Sequence, residues 1–229
     1  MKQIIKTRVI FILDETGSMD SIKKSTINGF NEYISSLKKK EEKILFSLVK
    51  FNSDKRENVY ESLDLKKVPK LNADTYIPAS MTPLLDTFVE TVEGEYNKSK
   101  ETKDAYLVVT MTDGEENSSH LHNATCASNL VSKLKEKGNW NFVYLGANQD
   151  SWATASLMGF AQGNVANWQS TDLGTSRTFK GLSMMTANFS AQASLGNLSQ
   201  SNLGKYFDQE PNIQSPKIEN LEAAKHDHS

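Results

Sequence analysis

The sequence contains almost no cysteine. Cys126 is the only one among 229 residues, so no disulfide can form within the chain. Because disulfides are rare in reducing compartments, we expect a cytoplasmic protein. In "NATCASNLVSKL", residues 123–134, we predict that Cys126 is a small buried residue of a helix rather than a nucleophile.

Long apolar runs are also absent. The N-terminus has a basic start, but its uninterrupted apolar stretch is only "VIFIL", residues 9–13. A signal peptide needs a longer apolar core, and a membrane helix needs about 20 apolar residues. We therefore expect neither a leader sequence nor a membrane span.

Neither sign of charge dominates the chain. It has 26 Lys and Arg against 28 Asp and Glu, which gives a formal net charge of −2. Binding to nucleic acid requires a clear basic excess or a basic stripe. The longest basic run, residues 38–40, is followed at once by Glu41 and Glu42, which is typical of a solvated helix end. We expect no nucleic-acid partner.

Motifs for catalysis are missing as well. The sequence has no glycine-rich phosphate loop, no GxSxG and no Ser/His/Asp arrangement. The alternative hypothesis is a metal-dependent phosphohydrolase, because Asp14 ends a strand as the nucleophile of aspartate-nucleophile phosphatases does. Those enzymes carry a second acid where this chain has Thr16, and a threonine cannot protonate a leaving group at neutral pH. We therefore predict that the protein is not an enzyme.

What the sequence does have is a regular alternation of strand-like and helix-like segments. The composition, 38% hydrophobic and 24% charged, suits a globular chain with a core. Helices are predicted in five segments: "SIKKSTINGFNEYISSLKKK", "TPLLDTFVETVEGEYNK", "NATCASNLVSKLKEKG", "SWATASLMGF" and "SRTFKGLSMMTANFSAQAS". In the longer ones, apolar residues recur at helical spacing. Strands are predicted in six segments: "TRVIFILDE", "KILFSLVKFN", "NVYESLDL", "DAYLVVTMTDGEEN", "WNFVYLGAN" and the short "GNVANWQS".

This alternation implies an α/β fold in which a mostly parallel sheet lies between helix layers. The segment "NVYESLDL", residues 58–65, alternates apolar and polar positions and is a candidate for a sheet edge. We predict a single domain over residues 1–197. From residue 198 the chain becomes rich in Ser, Asn, Gln and charge, so we expect residues 198–229 to form a polar, flexible tail.

Two predicted buried strands end on an acid with hydroxyl residues nearby. Asp14, Thr16 and Ser18 are two residues apart in a turn, so their side chains can converge on one point. Thr82 and Asp113 supply another hydroxyl and another carboxylate from distant parts of the sequence. All five are hard oxygen donors, which favours Mg²⁺, Mn²⁺ or Ca²⁺ over zinc. Thr82 also suits a helix N-cap without any metal, with Pro83 at the first helical position.

The pattern Asp14-x-Thr16-x-Ser18, followed by Thr82 in "TPLLD" and Asp113 in "TDGEE", resembles the metal-ion-dependent adhesion site of von Willebrand factor type A (VWA) domains. The resemblance implies a doubly wound, Rossmann-like sheet with one antiparallel edge strand. Two residues depart from the family pattern Asp-x-Ser-x-Ser. Thr16 keeps the hydroxyl of the usual serine, and Glu15 either points away from the ion or adds negative charge beside it.

The resemblance also implies a function, that of an adhesion or adaptor module. In the family, the hydroxyls touch the ion directly and the carboxylates often act through water, which leaves the ion able to accept an Asp or Glu from a partner protein. The sequence resembles the intracellular VWA domains of bacteria and phages. That resemblance implies an AAA+ ATPase or a stress-response assembly as the partner, and a monomer when the protein is isolated. The other hypothesis is that the metal serves only as a structural clip between strand ends.

Overall fold

The structure is a computed structural model that describes residues 5–40, 43–99, 102–147, 151–168, 171–199 and 203–207. Each predicted strand and helix is confirmed within these ranges. The strands are β1 Thr7–Asp14, β2 Ile44–Phe51, β3 Arg56–Asp64, β4 Ala105–Thr112, β5 Trp140–Gly146 and β6 Val165–Asn167. The helices are α1 Lys23–Lys38, α2 Leu84–Ser99, α3 Ala124–Lys135, α4 Ser151–Leu157 and α5 Asp172–Leu195, with a 3-10 helix at Gly17–Ile22.

The six strands form one sheet in the order β3-β2-β1-β4-β5-β6. All neighbouring pairs are parallel except β2 and β3, so β3 is an antiparallel edge strand. The predicted fold class, a doubly wound and mostly parallel sheet with one antiparallel edge, is therefore confirmed. The strand order reverses between β1 and β4, and a crevice for ligands commonly opens at the carboxyl ends of strands at such a point.

Strand β1 is apolar from Val9 to Leu13 because this part is buried on both faces of the sheet. Val9, Phe11 and Leu13 face the helix layer of α1 and α5, whereas Ile10 and Ile12 face the layer of α2, α3 and α4. Successive side chains of a strand point to opposite faces, so a strand covered on both sides needs apolar residues at every position. Strand β1 ends at Asp14, which is still buried, and the chain first becomes exposed at Gly17.

Helices α1 and α5 pack closely on one face of the sheet. A Cβ built on Gly29 of α1 would lie only 2.2 Å from Cδ2 of Phe179, so glycine leaves the space that this ring of α5 fills. The ring also stacks on Phe11 of β1, with centroids 6.3 Å apart. Helix α5 is thereby held against the central strand.

The described part of the predicted tail includes residues 203–207. Leu203, Tyr206 and Phe207 are buried in the same core as α1 and α5. The Tyr206 hydroxyl lies 2.9 Å from Oγ1 of Thr186, which in turn lies 3.1 Å from the hydroxyl of Tyr33. Residues 208–229 lie outside the described residues. Within the described ranges, no helix combines the length and the apolar character that crossing a membrane requires.

The structure corrects two local predictions. Cys126 belongs to α3 as predicted but is exposed rather than buried, because the face that α3 buries carries Ala127, Leu130 and Val131. Helix α2 begins at Leu84, one residue later than the predicted first helical position, Pro83.

Candidate metal centre

Asp14 ends β1 at the point where the strand order reverses. Its side chain is fully buried, and its Oδ1 atom accepts a hydrogen bond of 2.7 Å from the backbone N–H of Thr16. This contact between an aspartate and the residue two positions later is an Asx-turn, which bends the chain out of the strand. The Oδ2 atom accepts a short hydrogen bond from the hydroxyl of Thr112 at the end of β4. The carboxylate is thus fixed from both neighbouring strand ends.

The hydroxyls of the first motif connect Asp14 to Asp113. Thr16 is buried, and its Oγ1 atom lies 3.3 Å from Oγ of Ser18. Ser18 is exposed and donates a hydrogen bond of 2.6 Å to Oδ1 of Asp113. Four of the five predicted ligands therefore form one continuous cluster across β1 and β4.

Thr82 joins this cluster from the segment before α2. Its backbone N–H donates to Oδ1 of Asn117 at 2.8 Å, and its carbonyl accepts from the N–H of Asn117 at 3.2 Å. The N–H groups at the start of α2 are bound by other residues: Glu116 accepts from Leu85 at 2.8 Å and Ser119 accepts from Asp86 at 3.0 Å.

These contacts bear on the two roles predicted for Thr82, which are metal ligand and N-cap of α2. The side chains that cap α2 come from the loop after β4, so capping does not explain the Thr82 hydroxyl. Glu115 and Glu116 do not start a helix, because α3 begins only at Ala124. Glu116 instead ties this loop to α2.

Gly114 marks the point where the candidate ligands converge. A Cβ built on Gly114 would have three nearest atoms, and all are oxygens: Oγ1 of Thr82 at 2.9 Å, Oγ of Ser18 at 3.4 Å and Oδ2 of Asp14 at 3.6 Å. These oxygens come from three separate segments and surround a space that the missing side chain leaves open. Carboxylate and hydroxyl oxygens around a small space fit a hard divalent cation.

The electrostatics of the cluster also favour a cation. Burial raises the pKa of Asp14 to about 6, and the hydrogen bonds from Thr112 and Thr16 oppose that rise only in part. Burial likewise raises the pKa of Asp113, against the hydrogen bond from Ser18. Two carboxylates this close together and this poorly solvated are costly as anions unless positive charge lies between them.

Glu15 points away from the cluster, which is the first of the two alternatives that its position allowed. Its side chain is 1% exposed and its Oε1 atom lies 2.8 Å from Nζ of Lys50, which is itself 4% exposed. Lys50 also donates to the carbonyl of Thr75 at 2.6 Å, and Glu15 accepts from the N–H of Ile77 at 2.6 Å. This buried ion pair therefore fastens residues 72–81, which we call the 72–81 loop, beside the first motif.

Sequence reasoning missed three contributors to this centre. Thr112 and Gly114 flank Asp113, but their roles depend on Asp14 and Thr82, which are distant in sequence. Lys50 lies 35 residues from Glu15. The one available signal was Glu15 itself, a second acid directly after Asp14 at the end of a buried strand, where a charged side chain needs a partner.

Gly114→Ala is expected to weaken Mg²⁺ binding at least roughly tenfold, because overpacking displaces the surrounding atoms. The new methyl would lie 2.9 Å from Oγ1 of Thr82, where an ion ligand must keep its position. Isothermal titration calorimetry with Mg²⁺ measures the change. Gly94→Ala is the matched control, since a Cβ there meets nothing within 4 Å. Equal affinities for the two variants would show that the space beside Gly114 does not hold the ion.

The sequence and the fold were compared with known proteins. No protein-family model matches the sequence, and no curated protein is significantly similar to it. Among solved structures, the VWA domain from Catenulispora acidiphila has a TM-score of 0.52 at 12% identity, over 80% of this chain and 43% of its own. The ArnB paralog VWA2 from Sulfolobus acidocaldarius has a TM-score of 0.50 at 16% identity, over 79% of this chain and 44% of its own.

A third solved structure is the pilus adhesin SpaC from Lactobacillus rhamnosus GG in an open conformation. It has a TM-score of 0.60 at 9% identity, over 82% of this chain and 31% of its own. This chain spans less than half the length of each of the three proteins. At these identities the likeness concerns the fold alone. Together with the strand order, it shows that the chain has the fold of a von Willebrand factor type A domain.

Proposed function

We propose that this protein is a metal-dependent protein-binding module. Asp14, Thr16, Ser18, Thr82 and Asp113 would hold a divalent cation, with Mg²⁺ as the first candidate and Mn²⁺ or Ca²⁺ as alternatives. When bound, the cation supplies an open coordination position for a carboxylate oxygen of a partner protein. The five side chains would fix the cation and balance its charge, and the exposed side chain of Ser18 makes this end of the cluster accessible to a partner.

One observation carries the proposal. Oxygens of Thr82, Ser18 and Asp14 surround the space beside Gly114, although they come from three segments of the chain. The cluster has two carboxylates for a divalent charge, and its other three donors are neutral hydroxyls. A cation held this way keeps affinity for one further anion, which an Asp or Glu of a partner would provide.

The same fold occurs in a pilus adhesin, which supports a binding role by analogy only. We also propose that the protein is not an enzyme, because buried Thr16 stands where a phosphohydrolase would need its general acid. A cytoplasmic location, a monomeric state and an AAA+ ATPase or stress-response assembly as partner complete the proposal. The competing function is a structural clip, in which the cation only joins the ends of β1 and β4.

A pull-down from native lysate tests recruitment. Immobilised wild-type protein is compared with Asp14→Asn, each in Mg²⁺ and in chelator. We expect a protein that is retained only by the wild type in Mg²⁺. Asp74→Asn is the matched control, since Asp74 is an exposed acid on the 72–81 loop. If the same proteins are retained under all conditions, recruitment through the ion is wrong and the structural clip is the better account.

A further inference from the structure

Two large apolar side chains are exposed on the loop that leads into Thr82. Ile77 is 55% exposed and Met81 is 56% exposed. Burying such side chains typically contributes about 1.5–3 kcal/mol, which this loop forgoes. Single exposed apolar residues are ordinary, whereas two of them beside a candidate ligand site indicate a contact surface.

Backbone hydrogen bonds hold both residues in place. The N–H of Ser53 donates to the carbonyl of Met81 at 2.9 Å, and the N–H of Met81 donates to Oγ of Ser53 at 3.0 Å. The N–H of Ile77 donates to the buried carboxylate of Glu15 at 2.6 Å. A surface that is already ordered loses less conformational entropy when it binds a partner than a mobile one does.

Ser80 connects this loop to the first metal motif. Its φ of 65° lies in the left-handed region, which a residue other than glycine rarely adopts. Its carbonyl accepts from the N–H of Gly17 at 3.0 Å, and its hydroxyl donates to the carboxylate of Asp54. Backbone strain of this kind persists where the surroundings fix it, and it clusters at binding sites. The loop and the motif around Gly17 therefore form one rigid unit.

Resting on the proposed function, we propose that Ile77 and Met81 select partners in which the ion-binding Asp or Glu has a large apolar neighbour. The occupant is an extended peptide segment of a protein partner, with Leu, Ile, Met or Phe within two residues of its acid. Met81 directly precedes Thr82, and an extended chain advances about 3.3 Å per residue, so one or two residues bridge the two contacts. Met81 is thus next to a candidate ligand in the chain, and the N–H of Ile77 is bound to Glu15 of the first motif.

A peptide-display experiment tests this specificity. The library carries Asp, Glu, Asn or Gln in equal shares at one central position, with randomised flanking positions, and it is selected on the full chain in Mg²⁺. Wild-type protein is expected to enrich large apolar residues within two positions of the acid by roughly tenfold, as an apolar contact of this size provides. The double variant Ile77→Ser/Met81→Ser is expected to retain the acid but to lose the flanking preference.

The controls separate this inference from the proposed function. Leu195→Ser removes a side chain that is 70% exposed at the C-terminal end of α5. This variant is expected to keep the wild-type preference for flanking residues. Affinity for Mg²⁺, measured by calorimetry, is expected to stay unchanged in both serine variants. If acids are enriched in Mg²⁺ without any apolar preference, the inference is overturned and the proposed function stands. If no acid is enriched by wild-type protein, the proposed function itself fails and this inference with it.

Discussion

The Asp14→Asn variant is expected to bind Mg²⁺ at least roughly 100-fold more weakly than the wild type, the upper end of the loss seen when groups around a metal are removed. The substitution keeps the size of the side chain and the hydrogen bond from the N–H of Thr16, and its amide nitrogen would donate to the Thr112 hydroxyl instead of accepting from it. It removes half of the negative charge available to a divalent ion. The Asp113→Asn variant is expected to lose affinity for Mg²⁺ to a similar extent. Calorimetric titration of each purified variant with Mg²⁺ and with Mn²⁺ measures the loss.

The control for charge is Asp74→Asn, which removes an exposed acid from the neighbouring loop and is expected to leave the affinity within about twofold, because long-range attraction of an exposed charge is screened. Circular dichroism checks that each variant keeps the fold. A folded Asp14→Asn protein with wild-type affinity for Mg²⁺ would remove Asp14 from the ligand set and with it the proposed centre.

Asp14 also leads to a prediction about pH in the absence of metal. Its pKa is about 6 in the folded protein against an ordinary value of 3.8, so the folded state binds more protons than the unfolded state between these pH values. The contribution of Asp14 to the free energy of unfolding therefore falls as pH rises from about 4 to about 6, by about 3 kcal/mol in total. Urea denaturation in chelator is expected to show this loss in wild-type protein and not in Asp14→Asn. Parallel pH curves for the two proteins would contradict it.

The Lys50→Met variant is expected to lower the free energy of unfolding by about 3–5 kcal/mol, because it leaves the carboxylate of Glu15 buried without its partner. Lys50 and Glu15 are 4% and 1% exposed, so water replaces little of the lost interaction. Lys50 also donates to the carbonyl of Thr75, which loses its partner at the same time. Urea denaturation at neutral pH gives the free energy directly.

Lys55→Met is the matched control for Lys50→Met. Its Nζ atom lies 3.8 Å from the other carboxylate oxygen of Glu15, but its side chain is 52% exposed, so we expect a loss below about 1 kcal/mol. The double variant Glu15→Gln/Lys50→Met is expected to recover part of the stability, since no buried charge remains. If Lys50→Met and Lys55→Met cost the same, the pair does not fasten the 72–81 loop.

Much of the fold could be predicted from the sequence because its signals are local. The apolar run of β1 and the helical spacing of Phe30, Tyr33 and Leu37 in α1 each describe one element without reference to another. The ends of helices could not be placed from local signals where a residue distant in sequence caps the helix. Helix α2 is the example, since its first N–H groups are bound by Glu116 and Ser119 from the loop after β4.

The sequence alone determined that Asp14, Thr16 and Ser18 could act together, because residues two apart in one turn share a location whatever the rest of the chain does. Only the tertiary structure decided what surrounds them. The parallel pairing of β1 with β4 brings Thr112 and Asp113 to Asp14, and the burial of Glu15 with Lys50 holds the 72–81 loop beside them. Contacts between distant segments depend on how the sheet orders its strands, and that order is a property of the packed chain.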